Sequence, residues 1–382
     1  MVRIGILNNM RTQASMGQIT KYTNATQSYP ELNWLRGFAA IAVMLFHYTV
    51  RYDQIFGHCA NWSITVPWGG AMVISFFILS GFLGLLSNET SAKHYLWKRI
   101  VRLYPTYWIC ILCTVLVMKT AFPLYNQLPD SSIALKDILL NFTMLQGFLL
   151  QPSVDGAYWT LAIDLRFYVF CFLILLFKQR PQVRKYLFSW IFISLILEAF
   201  SYLGLIENNN GAFRIFTTLL MHIFVPNFCA AFTAGAFLAL YSKEKKKSDT
   251  VGLLLSTILA FITFKGYKLY VYVATVGYVY ICVKARQNRS TWIIYSKVIS
   301  ALDFYVLNVF TFVASISYPL YLLHQHIGFA IIWHLENANY LSEWIIIIPI
   351  LTMLVLAYIV QKLEKTLINR VRKGIRKCKK KI

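Results

Sequence analysis

Apolar residues run along this chain in long stretches, without the strict alternation of a half-buried strand or the single apolar stripe of a soluble helix. A helix needs about 20 mainly apolar residues to cross a bilayer. Ten stretches approach that requirement: 35–52, 66–86, 104–122, 159–177, 187–206, 219–241, 250–264, 268–284, 316–335 and 343–362. The seventh and eighth are short, and 293–313 is apolar enough to compete. Trp68, Tyr104, Trp108, Trp159, Trp333 and Trp344 stand near the ends, where interfacial aromatics collect. Pro123, Pro129, Pro181 and Gly211 punctuate the connections. The pattern predicts an all-α, polytopic membrane bundle of about ten helices over 35–362. A polar lead-in, 1–34, precedes it and a basic tail, 363–382, follows. The lead-in has no early apolar core, so it does not read as a signal peptide.

Composition agrees with one membrane bundle rather than several soluble domains. Of 382 residues, 58% are hydrophobic and 14% charged, and the mean hydropathy is +0.56. So little charge does not cover a soluble particle of this size. So much apolar side chain excludes disorder.

The net charge of +22 would suggest nucleic acid in a soluble protein. Here it fits cytoplasmic loops on anionic lipid, and no nucleic-acid partner is expected. With the first segment inside, 29 Lys and Arg fall on inside segments and 5 on outside ones. That asymmetry predicts cytoplasmic termini and places 87–103, 178–186, 242–249 and 363–382 inside. The basic tail reads as a surface-lying anchor on anionic lipid. Of seven cysteines, Cys110, Cys113, Cys171, Cys229 and Cys282 lie in apolar runs and read as small hydrophobes. Cys110-x-x-Cys113 lacks a second pair nearby, so no metal site is expected.

Ionisable groups inside spans are costly and usually face a partner or a wet cavity. They are Arg36, His47, Lys119, Asp164, Arg166, Glu198, His222, His324 and His326. Arg36 and His47 are eleven positions apart, so a helix puts them on one face, about 16 Å apart along its axis. A rim arginine suits an anion and a deep histidine suits proton transfer. A snorkelling arginine and a packed histidine would use the same spacing. Arg99 and Arg102 precede the third span and share a face if helical. They read either as a phosphate clamp or as an ordinary positive-inside loop. Asp164 lies five residues into the fourth span, at a depth similar to that of His47, where it could fix the histidine tautomer. Asp164 and Arg166 do not share a face. His324 and His326 aim differently on a helix, which argues against a metal pair. His222, Lys119 and Glu198 read as structural.

Five segments together resemble the acyltransferase family 3 of membrane-bound acyltransferases. They are Leu35-Arg36-Gly37 through Phe46-His47; Phe76-Phe77-Ile78-Leu79-Ser80-Gly81-Phe82; Lys98-Arg99-Ile100-Val101-Arg102-Leu103-Tyr104-Pro105; Trp159-Thr160-Leu161 through Phe167-Tyr168; and Ser315-Ile316-Ser317-Tyr318-Pro319-Leu320-Tyr321-Leu322-Leu323-His324. They extend from about 32 to 326. Asp164 departs from the family, which usually has Glu there. The basic tail that follows the bundle does not resemble the fused hydrolase-like domain some members carry there, so none is expected.

The resemblance implies O-acyl transfer, most simply acetyl transfer, from a cytoplasmic acyl-CoA co-substrate to a hydroxyl of an external carbohydrate or glycolipid. It also implies a multi-pass protein of a bacterial inner membrane, with no bound cofactor. Arg36, Arg99 and Arg102 would hold the donor phosphates. His47 would take the acceptor proton, oriented by Asp164, or carry the acyl group transiently. Ser80, Tyr168 and His324 are candidates for lining the site. Asn126, Asp130 and Asp155 of the outside loop suit sugar contact and equally suit an ordinary exposed loop. The competing reading is a transporter or flippase of a lipid-linked saccharide; against it stand the lack of a repeated half-chain and of a spread carboxylate path.

Overall fold

The long apolar runs leave no backbone partner in lipid other than the helix itself, and helices dominate the fold. The computed structural model describes residues 29–58, 62–87, 89–129, 131–206, 211–288 and 304–379, with side chains of the last stretch over 305–370. Among the described residues no strand forms; one isolated bridge joins Ser131 and Ser153. The helices are α1 (Glu31–Phe46), α2 (Val73–Leu86), α3 (Ala92–Ala121), α4 (Leu135–Phe142), α5 (Trp159–Leu176), α6 (Val183–Tyr202), α7 (Ala212–Phe224), α8 (Pro226–Glu244), α9 (Lys247–Thr263), α10 (Tyr267–Gln287), α11 (Phe304–Asn337) and α12 (Ile347–Lys379). Among the described residues six helical segments are long and apolar enough to cross a membrane by length and composition: Pro67–Leu86, Ala92–Ala121, Gly156–Leu176, Ala212–Glu244, Tyr305–Asn337 and Glu343–Arg370. The remaining four expected spans lie on α1, α6, α9 and α10, outside that set. α1 has 16 residues and α9 has 17.

Three elements differ from the apolar pattern. α3 begins at Ala92, twelve residues before the expected span, because Ser91 caps it by accepting from the His94 amide at 3.3 Å. The basic run 98–102 is therefore helical. The expected span 219–241 is broken: Val225 takes a left-handed backbone (φ 45°) and Pro226 opens α8, where a missing N–H costs nothing. α1 runs on into a π turn, His47–Arg51, and a last turn, Tyr52–Phe56. Thr49 supports that turn, donating to the Leu45 carbonyl at 2.8 Å and accepting from the Val66 amide at 3.1 Å. Of the expected lead-in, residues 1–28 lie outside the described residues, as does Asp130.

The core has two parts, and α1 faces both. Leu32, Ala39, Ala42 and Val43 join a cluster with α2, α5, α6, α8, α9 and α10. Ala40, Met44, Tyr48 and Tyr52 join a second with α3, α11 and α12. Phe76 and Tyr168 touch both. α2 and α8 meet through glycines: a Cβ on Gly81 would lie 2.1 Å from the Phe232 carbonyl oxygen, and one on Gly235 1.9 Å from that of Ile78. Small residues let helix backbones approach where lipid offers no hydrophobic drive.

Ion pairs gather at the helix ends. At one end Arg184 grips Asp249 with two bonds of 2.7 and 3.1 Å, Arg286 meets Glu31 at 2.7 Å, Lys98 meets Glu89 at 2.8 Å and Arg180 donates to the Ser87 carbonyl. This is the basic end. At the other, Glu336 accepts from Tyr52 at 3.1 Å and meets His58 at 2.9 Å, while Glu343 caps the Ser63 and Ile64 amides at 2.7 and 3.1 Å.

Candidate active site

Two cavities lie along α1, separated by a wall. The inner cavity, about 120 Å³, is lined by Arg36, Ser80, Arg102, Thr160, Asp164, Tyr168, Ser317, Tyr318 and Tyr321 with apolar neighbours. The outer cavity, about 780 Å³, is lined by His47, Arg51, Gln54, Gln151, Trp159, Arg166, His222, Tyr321 and Gln325 among others. Val73 and Tyr321 line both and so form the wall. Tyr321 is fixed: its hydroxyl accepts from Thr160 at 2.9 Å and donates to the Ala157 carbonyl at 3.2 Å.

The inner cavity brings together Arg36, Arg102, Ser80, Asp164 and Tyr168, from α1, α3, α2 and α5. The Asp164 carboxyl faces Ser80 and lies within electrostatic reach of Arg99, Arg102 and Arg36. It is the one acidic group among the described lining residues. Arg99 sits beside the cavity rather than on its wall. Its guanidinium lies 4.4 Å from the Tyr168 ring centroid and 5.2 Å from that of Tyr95. The two basic residues of one helix face are thus placed differently: Arg102 lines the cavity, and Arg99 is stacked between tyrosines beside it.

The outer cavity holds His47 where the α1 backbone shifts into its π turn. π turns are rare and often mark functional positions. Its ring packs against Phe46 (5.3 Å between centroids) and His324 (4.9 Å). Nδ1 of His47 is buried and without a partner. Asp164 is not beside it; the expectation that this carboxylate orients His47 does not match the geometry, because Asp164 projects from α5 towards the arginines on the other side of Tyr321. His324 lines neither cavity and stands behind His47, buried to 1% exposure. Arg166 and Asp164 do face apart, as their spacing implies. The Arg166 guanidinium is bound by the carbonyls of Ala162 (2.7 Å), His222 (2.8 Å) and Gly147 (3.3 Å) and ties α5 to α7. His222 Nε2 lies 2.8 Å from Arg166 Nη2 and 3.2 Å from the Phe148 carbonyl oxygen.

Asp155 is not available to a sugar. It is fully buried, accepting from the Ala157 amide at 2.8 Å and the His326 amide at 3.1 Å. His326 Nε2 accepts from the Gly156 amide at 3.2 Å, so the ring proton sits on Nδ1, 3.7 Å from Asp155. This pair closes the loop over α11. Lys119 is exposed and Glu198 half-buried, both away from the cavities. Sequence reasoning missed Trp159, Tyr321 and Gln325. Trp159 and Tyr321 lie within quoted segments, and Trp159 offers an exposed ring at the outer cavity. Gln325 leaves Oε1 buried and unpartnered at the same cavity, a position with no distinguishing sequence signal.

Arginines in one cavity and a histidine in the next suit an anionic donor and a proton-transfer step. Comparison with known proteins bears on the chemistry. The acyltransferase domain model of acyltransferase family 3 matches residues 29–360. A curated relative from Acidianus two-tailed virus, provisionally named an acetyltransferase, is 28% identical over 184 residues, covering 48% of this chain and 50% of that protein. The chain therefore spans about half the length of that relative. No solved structure matches. The described chain is a helical, integral membrane protein that belongs to the acyltransferase 3 family.

Proposed function

We propose that the protein moves an acyl group, in the first instance acetyl, from cytoplasmic acyl-CoA to a hydroxyl of an externally presented carbohydrate or glycolipid, in a bundle of about ten spans with both termini inside. The observation that carries this reading is the pair of cavities on opposite sides of Tyr321, one with arginines and one with His47. Arg36 and Arg102 would bind the donor phosphates, with charge-assisted bonds stronger than neutral ones. The thioester would reach past Val73 and Tyr321 towards His47. Nε2 of His47 takes the acceptor's hydroxyl proton as the oxygen attacks the thioester carbonyl carbon. The carbon–sulfur bond breaks, and the imidazolium returns the proton to the departing thiolate. Trp159 gives the acceptor an aromatic face, as sugars use. The end contacts support the topology: Glu31, Ser87, Arg180, Asp249 and Arg286 meet at one end, and Tyr52, His58, Ser63, Glu336 and Glu343 at the other. α12 continues to Lys379, giving the basic tail a helical form suited to anionic lipid.

The test is transfer of labelled acetyl from acetyl-CoA, added to the cytoplasmic face of native membrane vesicles, into the carbohydrate fraction. Movement of the endogenous saccharide across the membrane with no CoA thiol released and no label incorporated would support a transporter.

A further inference from the structure

Two buried nitrogens of adjoining rings lack partners: Nδ1 of His47 and Nε2 of His324. The rings are 4.9 Å apart between centroids and inclined at 71°. Nδ1 of His324 lies 2.8 Å from the Tyr321 carbonyl oxygen. A carbonyl only accepts, so that nitrogen carries the ring proton, and Nε2 of the neutral ring is a lone pair. His47 has the complementary need. Its Nδ1 is closed off from the outer cavity, and a proton there leaves Nε2 as the basic nitrogen. Leaving either nitrogen buried and unpaired costs the desolvation of that group with nothing in return. One N–H···N bond between these two rings would satisfy both.

We infer that His324 is a positioning residue for His47: its Nε2 accepts the Nδ1 proton of His47 and so presents Nε2 of His47, unprotonated, to the acceptor hydroxyl. This rests on the proposed role of His47 as the base. His324 is well held for the task. Tyr48, the next residue after His47, donates its hydroxyl to the His324 carbonyl at 2.9 Å, and a Cβ on Gly328 would strike the Tyr48 ring at 2.2 Å. The π turn thus locks α1 to α11 at this level. Asp155, the carboxylate within electrostatic reach of His324, is already taken by the amides of Ala157 and His326. The acceptor behind the base is a neutral imidazole rather than a carboxylate.

The experiment uses the full-length protein at matched levels in native membrane vesicles, with labelled acetyl-CoA as donor and the endogenous carbohydrate as acceptor. Wild type, His47→Ala, His324→Ala, His324→Gln and the His47→Ala/His324→Ala double variant are compared. His324→Ala should lower kcat by about 10²-fold with the acetyl-CoA KM unchanged, at the low end of what a base contributes. His324→Gln keeps an acceptor oxygen and should recover about tenfold of that. The double variant should match His47→Ala alone, since groups acting as a unit are not additive. A kcat for His324→Ala within about threefold of wild type, equal losses in the Ala and Gln variants, or multiplying losses in the double variant would overturn the inference. An inactive wild type, or a fully active His47→Ala, overturns the proposed function instead.

Discussion

Asp164 and His47 lie on opposite sides of Tyr321, the first facing Ser80 and three arginines, the second facing His324 and the larger cavity. The carboxylate and the imidazole therefore act on different parts of a substrate. Removing the carboxylate charge makes the arginine cavity more attractive to phosphate. Asp164→Asn should lower the KM for acetyl-CoA a few-fold, since a charge pair near a protein surface is worth about 1–4 kcal/mol before screening. It should leave kcat largely intact. Initial rates over a range of donor concentrations check this; a collapse of kcat at unchanged donor KM would put Asp164 in the chemical step.

Arg102 and Arg99 should separate in the same assay. Arg102→Ala should raise the KM for acetyl-CoA by roughly tenfold or more, from the loss of charge-assisted bonds worth about 1.5–3 kcal/mol. The effect should shrink with acetyl-pantetheine, which lacks the nucleotide phosphates. Arg99→Ala should act on stability, because its guanidinium stacks on Tyr168 and Tyr95. Cation–π contacts of this kind contribute about 0.5–2 kcal/mol each. Thermal inactivation in detergent reads that loss.

Tyr321 separates the two cavities, so its side chain should limit access of water to the thioester. Tyr321→Ala should raise acceptor-independent release of CoA thiol while lowering transfer to carbohydrate. Tyr321→Phe keeps the ring and should stay close to wild type. Thiol release measured with and without acceptor distinguishes the two; unchanged coupling in Tyr321→Ala would remove the wall from the account.

The α2–α8 crossing should not tolerate a methyl group. Gly235→Ala places a Cβ 1.9 Å from the Ile78 carbonyl oxygen, a backbone atom that cannot swing aside. The expected cost is about 1–3 kcal/mol or more from overpacking. Gly277→Ala in α10, with nothing within 4 Å of the added carbon, is the control and should be neutral or slightly stabilising. Thermal inactivation midpoints check the pair.

The helical class was legible because hydropathy and the 3.6-residue period act along one chain segment. Ser80 and Tyr168 line the inner cavity for the same reason: each lies within a short motif on a single helix. What failed depended on helices meeting. Similar depth suggested an Asp164–His47 pair, but depth does not fix the direction a side chain takes around its helix. The break at Val225 and Pro226 lay hidden in an unbroken apolar run, since hydropathy reports the environment of side chains and not the backbone conformation. Asp155 looked like an exposed loop acid; its burial depends on amides of Ala157 and His326, far apart in sequence.

The most direct test of the central claim is acetyl transfer by His47→Ala against His222→Ala at equal membrane protein levels. Labelled acetyl-CoA is supplied to the cytoplasmic face, and label in the carbohydrate fraction is counted. His47→Ala should lose about 10²–10⁴-fold in turnover with its folding retained. His222→Ala, which removes a ring beside Arg166 but leaves that guanidinium its backbone carbonyls, should keep most of the activity. Full acetyl transfer by His47→Ala would contradict the account.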